Sequence, residues 1–556
     1  MTLPSWSASF RIHELLAALL IAAHLFLAVC SASLKSPTAD EYSYIATGYL
    51  YVQTGDFRLD RTHPPLLRLL IGLPLQFLPI ELPPLHEELW DTPQSYFQGY
   101  PIGWEMLLGG QNDWQRILFW ARLPISLLSC LLALVIYLWA RRLYSPTAAL
   151  LALFLYCFSP DILAHARLAT MDLGLCFFFV TTLYFFYLSL HGNSTPTPRP
   201  WHHFRYWCNR PSLFFTLCGV FLGLTLAAKV TGLLLVPVLL LALLLQPAED
   251  RLTFKPPPGF LREAVILLGL AFITLLLLYG VPFKPFYYPD TLTNVLYKSL
   301  QTGETGQNIP GMPHLGHAFY LMGDYSTTGW WYYYFAALAL KTPLPVFVLL
   351  LLCLLFSSRR WFGITDVLLL SSLFLLLFAS MFNRVNIGIR HILPVYPLLH
   401  LYLGRGVFFS HRLWLKAVLL ILALWYLAAS LSIYPDYLTY FNEAAGGPEN
   451  GHLWLDDSNL DWGQDLGRLQ AIQARFPDEP FYVATNWIFH DQAFGLNAQL
   501  LQEDQIQNPP QGVVAVGRHW AIRHRLNPRS AAWFDWLEKY APVAQVGNSI
   551  WVFHFE

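Results

Sequence analysis

Two adjacent carboxylates, Asp40 and Glu41, follow the first apolar segment of the chain. One carboxylate of such a pair can take a proton from an acceptor hydroxyl or amine as a general base, while the other orients the acceptor or a neighbouring cation. A structural alternative is equally open, because Thr38 or Asp40 can cap a helix that begins near Glu41. The pair therefore marks a candidate acidic site where an apolar helix ends.

Other charged side chains lie at the ends of apolar segments. Asp172 opens the fourth such segment, where it can also serve as a helix cap. Lysine and arginine at such ends suit a phosphate, as a point charge or through paired hydrogen bonds, although each alone is also explained by contact with lipid headgroups. A helix that starts after Pro64-Pro65 would favour an anion at its N-terminus. The candidate phosphate-binding residues are His63, Arg68, Lys229, Lys341, Arg390 and His391.

An acidic stretch near the C-terminus, residues 456–465, looks at first like a cation-binding loop. It lacks the alternating oxygen ligands and the central glycine of a calcium loop. Ser458 followed by Asp461 more simply predicts the cap of a helix over 461–476. The chain also has no histidine–cysteine metal spacing, P-loop, G-x-S-x-G or D-x-D motif. No cofactor is therefore identified, and a divalent cation stays an open alternative.

The composition indicates which environment must hold these residues. The chain has 556 residues, of which 55% are hydrophobic and 12% charged, and its mean hydropathy is +0.42. Soluble domains carry about 25% charged residues, so this apolar surface requires a membrane. Segments of about 20 apolar residues can span a bilayer. We predict eleven spans, at residues 13–33, 117–139, 146–160, 172–190, 212–228, 230–246, 264–282, 343–357, 365–382, 391–409 and 413–433.

The distribution of lysine and arginine predicts the orientation. These residues concentrate in the connections after even-numbered spans, which should therefore face the cytoplasm. The N-terminus is then cytoplasmic, and we expect a multi-pass protein of the plasma (inner) membrane. Residues 1–433 should form the transmembrane domain, with outer loops at 34–116 and 283–342. Residues 434–556 should form a small extracytoplasmic α/β domain, with strands at 453–455, 481–485, 512–517 and 550–555 and a second helix at 529–540.

The placement of the ionisable residues separates two classes of function. A proton-coupled pump is expected to hold carboxylates near the middle of the bilayer. Here the charges lie at the outer ends of the spans, which favours surface chemistry on a membrane-borne substrate. A glycolipid or polysaccharide transporter and a non-catalytic glycolipid-binding protein stay open as alternatives.

Taken in their order, several short motifs resemble the GT-C superfamily of glycosyltransferases. The closest branch is family 39, which contains the protein O-mannosyltransferases and the aminoarabinose transferases. Residues 457–465 resemble the tail of a bacterial subgroup. The other matching motifs are Asp40-Glu41 and residues 63–66, 165–172, 227–232 and 386–394.

This resemblance implies a GT-C fold and the transfer of a sugar, with inversion, from a polyprenyl-phosphate carrier on the outer face of the membrane. A mannose-like hexose is the expected sugar, and the acceptor is a protein hydroxyl, a lipid or a glycan, with no nucleic acid as partner. Asp40 takes the place of the family acid that acts on the acceptor, with Glu41 beside it. Asp172 takes the place of the second-loop acid, and Lys229 that of a lysine that meets the donor phosphate.

The chain departs from its resembled family in two places. His63 stands where the aminoarabinose transferases usually have a lysine, which puts a titratable group in place of a fixed cation. The large inserted luminal β-domain of the eukaryotic protein mannosyltransferases has no counterpart here. The resemblance therefore identifies neither the sugar nor the acceptor.

Overall fold

A computed structural model of the protein describes residues 8–85, 90, 99–191, 213–248, 251–254, 259–280, 286–293, 319–356, 364–409, 413–487, 489–525 and 535–556. Residues 283–285 and 294–318 of the predicted outer loop 283–342 lie outside this range, as do residues 529–534 of the predicted helix 529–540. Helices dominate the part up to residue 432, and a mixed sheet follows.

The helices of the described range vary from five residues to 30 in length. They are α1 (Ala8–Ser33), α2 (Ala39–Thr54), α3 (Leu66–Gly72), α4 (Gly99–Leu108), α5 (Trp114–Leu143), α6 (Pro146–Cys157), α7 (Pro160–Ala166), α8 (Met171–His191), α9 (Leu213–Ala228), α10 (Leu235–Leu244), α11 (Phe260–Tyr279), α12 (Tyr333–Lys341), α13 (Leu344–Phe356), α14 (Ile364–Ser380), α15 (Val395–Leu403), α16 (Leu413–Ser432), α17 (Leu469–Gln473), α18 (Glu503–Gln507), α19 (Arg518–Arg525) and α20 (Asp535–Lys539).

Within the described ranges, five helices are long and apolar enough to cross a membrane. They are Ile12–Ser33, Trp114–Leu143, Met171–Leu190, Phe260–Tyr279 and Leu413–Ser432. Two bent pairs, α6–α7 and α12–α13, would raise this number to seven. Each of the eleven predicted spans coincides at least in part with helix, but several helices are shorter than a bilayer requires. The polytopic membrane fold is therefore supported, and the number eleven stays a prediction.

The outer helices and the central helix differ in what surrounds them. In the most apolar window of α11 and of α16 only 28% of the residues are buried, so most of their apolar surface suits contact with lipid. In α8 the corresponding share is 83%, because helices surround it on all sides. A helix that is apolar around its whole circumference belongs in such a core. Asp172 lies in the first turn of this central helix.

Helix α2 begins directly after the first span and carries the acidic pair. Thr38 is its N-cap, and both the backbone N–H and the hydroxyl of Thr38 donate to the Glu41 carboxylate. This capping box confirms that Thr38 caps the helix. A close contact of two glycines holds α2 against α3, since a Cβ on Gly72 would lie 2.0 Å from the carbonyl oxygen of Gly48. The backbone of α3 thus lies directly on α2.

The tail contains a five-stranded sheet in the order β6-β5-β7-β9-β8. Strand β5 is parallel to β6 and β7, whereas β9 is antiparallel to β7 and β8. The observed strands β7 and β9 have the predicted bounds, 512–517 and 550–555. Strand β5 ends at residue 484, one residue before the predicted end at 485. The strands of the described range are β1 (Leu245–Ala248), β2 (Arg251–Phe254), β3 (Phe319–Leu321), β4 (Asp324–Ser326), β5 (Phe481–Ala484), β6 (Gln499–Leu500), β7 (Gly512–Gly517), β8 (Ala544–Val546) and β9 (Ile550–Phe555).

Two predictions for the tail are wrong. Residues 453–455 form no strand, because a 3₁₀ helix runs through Pro448–Leu453. The predicted helix 461–476 is reduced to α17 with one preceding 3₁₀ turn. The reason is local: the Asp461 carboxylate accepts from the Gly463 N–H and the Gln464 side chain bonds the backbone of Leu460 and Trp462. Such bonds compete with the helical ones.

Candidate functional site

Asp40 lies in the first turn of α2 and is held by an arginine from a distant part of the chain. Arg390 Nη1 donates to Asp40 Oδ2 at 2.6 Å. The hydroxyls of Tyr44 and Tyr100 donate to the two oxygens of the same carboxylate at 3.3 and 3.2 Å. The Asp40 side chain keeps 14% of its surface exposed. It is therefore the carboxylate of this site that a second molecule can reach.

Arg390 also connects Asp40 with a second ion pair. Its Nη1 lies 3.8 Å from Asp172 Oδ2, and Lys229 Nζ donates to Asp172 Oδ1 at 2.5 Å. Lys229 is an extended residue between α9 and the 3₁₀ helix Val230–Leu234, and Arg390 belongs to the 3₁₀ helix Ile389–Ile392. Breaks between helices thus supply both cations. We call Asp40, Asp172, Lys229 and Arg390 the charged cluster.

Several buried polar atoms next to the charged cluster have no hydrogen-bond partner. They are Arg390 Nε, His63 Nδ1, His391 Nε2 and both ring nitrogens of His165. The three histidines interact electrostatically with Asp172. Buried polar atoms in folded proteins almost always have a partner, so a group of unpaired ones indicates that water or a ligand completes the site. Cations and N–H donors of this kind suit an oxyanion.

The surroundings of His63 favour its neutral form. Burial, followed by the charges of Lys229 and Arg68, holds its pKa well below the ordinary value of 6.5. A neutral imidazole can donate one hydrogen bond to a phosphate but adds no charge. A histidine at this position, where the aminoarabinose transferases usually have a lysine, therefore favours a hydrogen-bonding group over a fixed cation.

Glu41 does not join the charged cluster. Its two carboxylate oxygens accept from Arg122 Nε and Nη2 at 2.8 and 2.7 Å, and Oε1 also accepts from the Ala169 N–H. Burial alone would raise the pKa of Glu41, but the charge and hydrogen bonds of Arg122 hold it below its ordinary value. Neighbouring residues on a helix point in different directions, so the two acids face different partners. Glu41 joins α2 to α5 and to the turn before α8.

Two candidate phosphate-binding residues have partners outside the charged cluster. Arg68 is fully buried and pairs with Asp60 at 3.1 Å, while its Nη1 contacts the hydroxyl of Tyr51 at 2.9 Å. Lys341 donates to the carbonyl oxygens of Leu438 and Asn459 at 2.7 and 2.9 Å. Both side chains therefore stabilise the fold through these contacts.

Sequence reasoning missed three aromatic residues of the site. Tyr44 is four residues after Asp40, and this helical spacing could have revealed it. Tyr100 and Trp462 lie far away in the sequence, and no local signal connects them with Asp40. The Trp462 ring lies under the Arg390 guanidinium, 4.3 Å from its central carbon to the ring centroid.

The described part of the chain contains no evident metal-binding site. No group of three or more histidine, cysteine, aspartate or glutamate side chains is placed there to hold one. Asp40 and Glu41 also bind different partners, so they do not form a joint set of metal ligands. The charged cluster instead pairs two cations with two carboxylates next to buried polar atoms that have no hydrogen-bond partner.

The fold and the charged cluster define a polytopic membrane protein whose polar site lies where helices break. Residues 18–293 match the family model described as dolichyl-phosphate-mannose-protein mannosyltransferase. This match covers just under half of the chain and confirms the resemblance to glycosyltransferase family 39 that the sequence motifs indicate. A search of curated proteins finds no match.

Two solved structures illustrate the remaining similarities. ArnT from Cupriavidus metallidurans bound to undecaprenyl phosphate is 13% identical, with 98% of each chain covered and a TM-score of 0.49. The oligosaccharyltransferase AglB from Archaeoglobus fulgidus, in complex with an inhibitory peptide and a dolichol-phosphate, is 11% identical. That match covers 97% of this chain and 73% of the other, with a TM-score of 0.43. At these scores neither similarity supports an argument about function.

Proposed function

We propose that the protein is a membrane glycosyltransferase that moves a sugar from a polyprenyl-phosphate carrier to an acceptor, with inversion at the transferred carbon. The family match supports the class of reaction. The observation that carries the proposal for this chain is that Arg390 joins the accessible Asp40 to the Asp172–Lys229 pair. A candidate base and the candidate anion-binding groups therefore lie within one cluster.

Asp40 is the proposed general base. An acceptor hydroxyl that replaces one tyrosine contact of Asp40 would give its proton to the carboxylate. The acceptor oxygen then forms a bond to the anomeric carbon while the bond from that carbon to the phosphate oxygen breaks. The electron pair of the broken bond stays on the polyprenyl phosphate, which leaves as the anion. Holding the acceptor and donor in one site supplies the proximity advantage.

Lys229 and Arg390 are the proposed cations for the donor phosphate. Charge grows on the leaving phosphate, and fixed cations and N–H donors in a buried site stabilise it. His63 and His391 each have an unpaired ring nitrogen that can take part. Asp172 keeps Lys229 in place through the 2.5 Å contact and reduces the net positive charge of the site before the donor binds. No metal ion or nucleotide is needed in this scheme.

The finer features of the proposal come from the sequence patterns. The sugar is a mannose-like hexose, and the acceptor is a protein hydroxyl, a lipid or a glycan. The distribution of lysine and arginine favours a cytoplasmic N-terminus and an active site at the outer face of the plasma (inner) membrane. The tail after residue 433 would then be extracytoplasmic, on the same side of the membrane as the acceptor.

The test is covalent sugar transfer by the purified Asp40→Asn variant. Polyprenyl phosphates that carry radiolabelled mannose, glucose or aminoarabinose serve as donors, and membrane and protein extracts serve as acceptors. We expect transfer by the wild type with one of these donors and a loss of about 10²-fold or more in the variant, as for the removal of a general base. Asp324→Asn, a change at an exposed residue of β4, is the matched control and should retain wild-type transfer.

A stable Asp40→Asn protein that transfers sugar at the wild-type rate would refute the proposed mechanism. A transporter makes a different prediction: the labelled lipid would move across proteoliposomes without a covalent product, and Asp40 could be replaced freely. Measurement of both the product and the lipid flux in the same vesicles separates the two functions.

A further inference from the structure

A single loop of the tail, residues 456–465, contacts both segments that carry the charged cluster. On the Asp40 side, the Ser36 N–H donates to the Gln464 carbonyl at 2.9 Å and the Ala39 N–H donates to the Trp462 carbonyl at 3.1 Å. Ala39 is the residue before Asp40. The loop thus bonds the backbone at the start of α2 directly next to the proposed base.

The same loop holds the arginine on its other side. The Ile389 N–H donates to Asn459 Oδ1 at 2.9 Å, and Ser458 Oγ donates to the Ile387 carbonyl at 2.7 Å. The guanidinium of Arg390 lies over the Trp462 ring. Gly388 allows its segment to lie close to the loop, because a Cβ at this position would lie 2.2 Å from Ser458 Oγ.

The loop is itself held firmly. Asn459 is fully buried, its Nδ2 donates to the hydroxyl of Tyr333 at 2.9 Å, and its carbonyl accepts from Lys341 at 2.9 Å. Asp457 has a φ of 60°, in the left-handed region. A residue other than glycine keeps this strained conformation only where the surrounding contacts impose it. A rigid support of this kind can fix the geometry of the residues that rest on it.

We propose that residues 456–465, which we call the clasp loop, are a positioning element that sets Arg390 against Asp40. Trp462 has the central role, because its ring supports the guanidinium while its carbonyl bonds the residue before Asp40. Ser458 and Asn459 fix the backbone on either side of Gly388. The clasp loop acts on the charged cluster through these contacts, and its role rests on the proposed function of that cluster.

The first experiment compares three tryptophan variants in the transfer assay. Trp462→Leu removes the aromatic support of Arg390 and should lower kcat by about 10²-fold, as expected for a misplacement of about 1 Å, with a smaller change in KM. Trp462→Phe keeps an aromatic face and should retain most of kcat. Trp414→Leu is the control, since Trp414 is an exposed residue at the start of α16. It should leave kcat unchanged.

The second experiment uses a change too small to unfold the tail. Ser458→Ala removes one hydroxyl, and it is combined with Arg390→Lys in a double-mutant cycle. If Ser458 acts through Arg390, the Ser458→Ala change should lower kcat in the wild type but have little further effect in the Arg390→Lys background. Additive effects would show a general structural role and overturn the proposal, even if Trp462→Leu does not fold.

The results separate this inference from the proposed function. An inactive Asp40→Asn variant together with wild-type kcat in folded Trp462→Leu and in Ser458→Ala would overturn the positioning role alone. Wild-type transfer by Asp40→Asn would instead remove the proposed function. Low kcat in Trp462→Leu, recovery in Trp462→Phe and a non-additive cycle would support the clasp loop.

Discussion

The two adjacent acids of α2 should have opposite mutant phenotypes. Asp40 lies in the charged cluster and is partly exposed, whereas Glu41 is fully buried and accepts two charge-assisted hydrogen bonds from Arg122. In the Glu41→Gln variant an amide replaces the carboxylate, so Arg122, with only 2% of its side chain exposed, loses its counter-charge. We therefore expect Glu41→Gln to impair folding and Asp40→Asn to impair catalysis.

The magnitude follows from the burial of the Glu41–Arg122 pair. Removal of one partner from a buried ion pair costs about 3–5 kcal/mol, because it leaves an uncompensated charge in the interior. The capping box with Thr38 adds little to this cost, because the glutamine carbonyl can still accept from the Thr38 backbone N–H. Asp40→Asn should cost far less, since its carboxylate is partly exposed to solvent and the amide can still accept a hydrogen bond from Arg390.

The assay is thermal unfolding of both variants in the same detergent, alongside the transfer assay. The pH dependence gives a second check. Because Arg122 holds the pKa of Glu41 below its ordinary value, its stabilising contribution is present above the pKa of an unfolded glutamate, about 4.3, and is lost as the pH falls through the lower folded pKa. The stability difference between wild type and Glu41→Gln should therefore persist at neutral pH and shrink in strong acid. Equal unfolding temperatures for wild type and Glu41→Gln at neutral pH would refute the reasoning.

Two further predictions concern His63 and the glycine contact. His63→Gln should leave the shape of the activity–pH curve unchanged between about pH 6 and 8, because the lowered pKa keeps His63 neutral over that range; a limb of the curve that disappears in the variant would contradict this. Gly72→Ala should destabilise the protein by about 1–3 kcal/mol in thermal unfolding, because the new methyl group would meet the backbone of Gly48. Gly269→Ala in α11, where nothing lies within 4 Å of the added carbon, is its control; a cost similar to that of Gly72→Ala would refute the steric argument.

Parts of the site could be recognised from the sequence because they depend on local chemistry. Thr38 is one of the two caps that the sequence predicts for α2, and the strand bounds at 512–517 and 550–555 follow from short apolar runs between turn residues. The family resemblance identified Asp40, Asp172 and Lys229 as candidate site residues, although they are far apart in the sequence and no local pattern predicts their contact. The structure then places these three with Arg390, while their catalytic roles stay a proposal.

The sequence alone determined that this chain needs a membrane, because its apolar content exceeds what a soluble core can bury. It also determined which residue types were available for acid–base chemistry and phosphate binding. Only the tertiary structure decided how these charged residues form ion pairs. Glu41 pairs with Arg122, Arg68 with Asp60, and Arg390 with Asp40. The physical reason is that a buried charge requires a counter-charge within a few ångströms, and the packing of distant helices and of the clasp loop selects which one it meets.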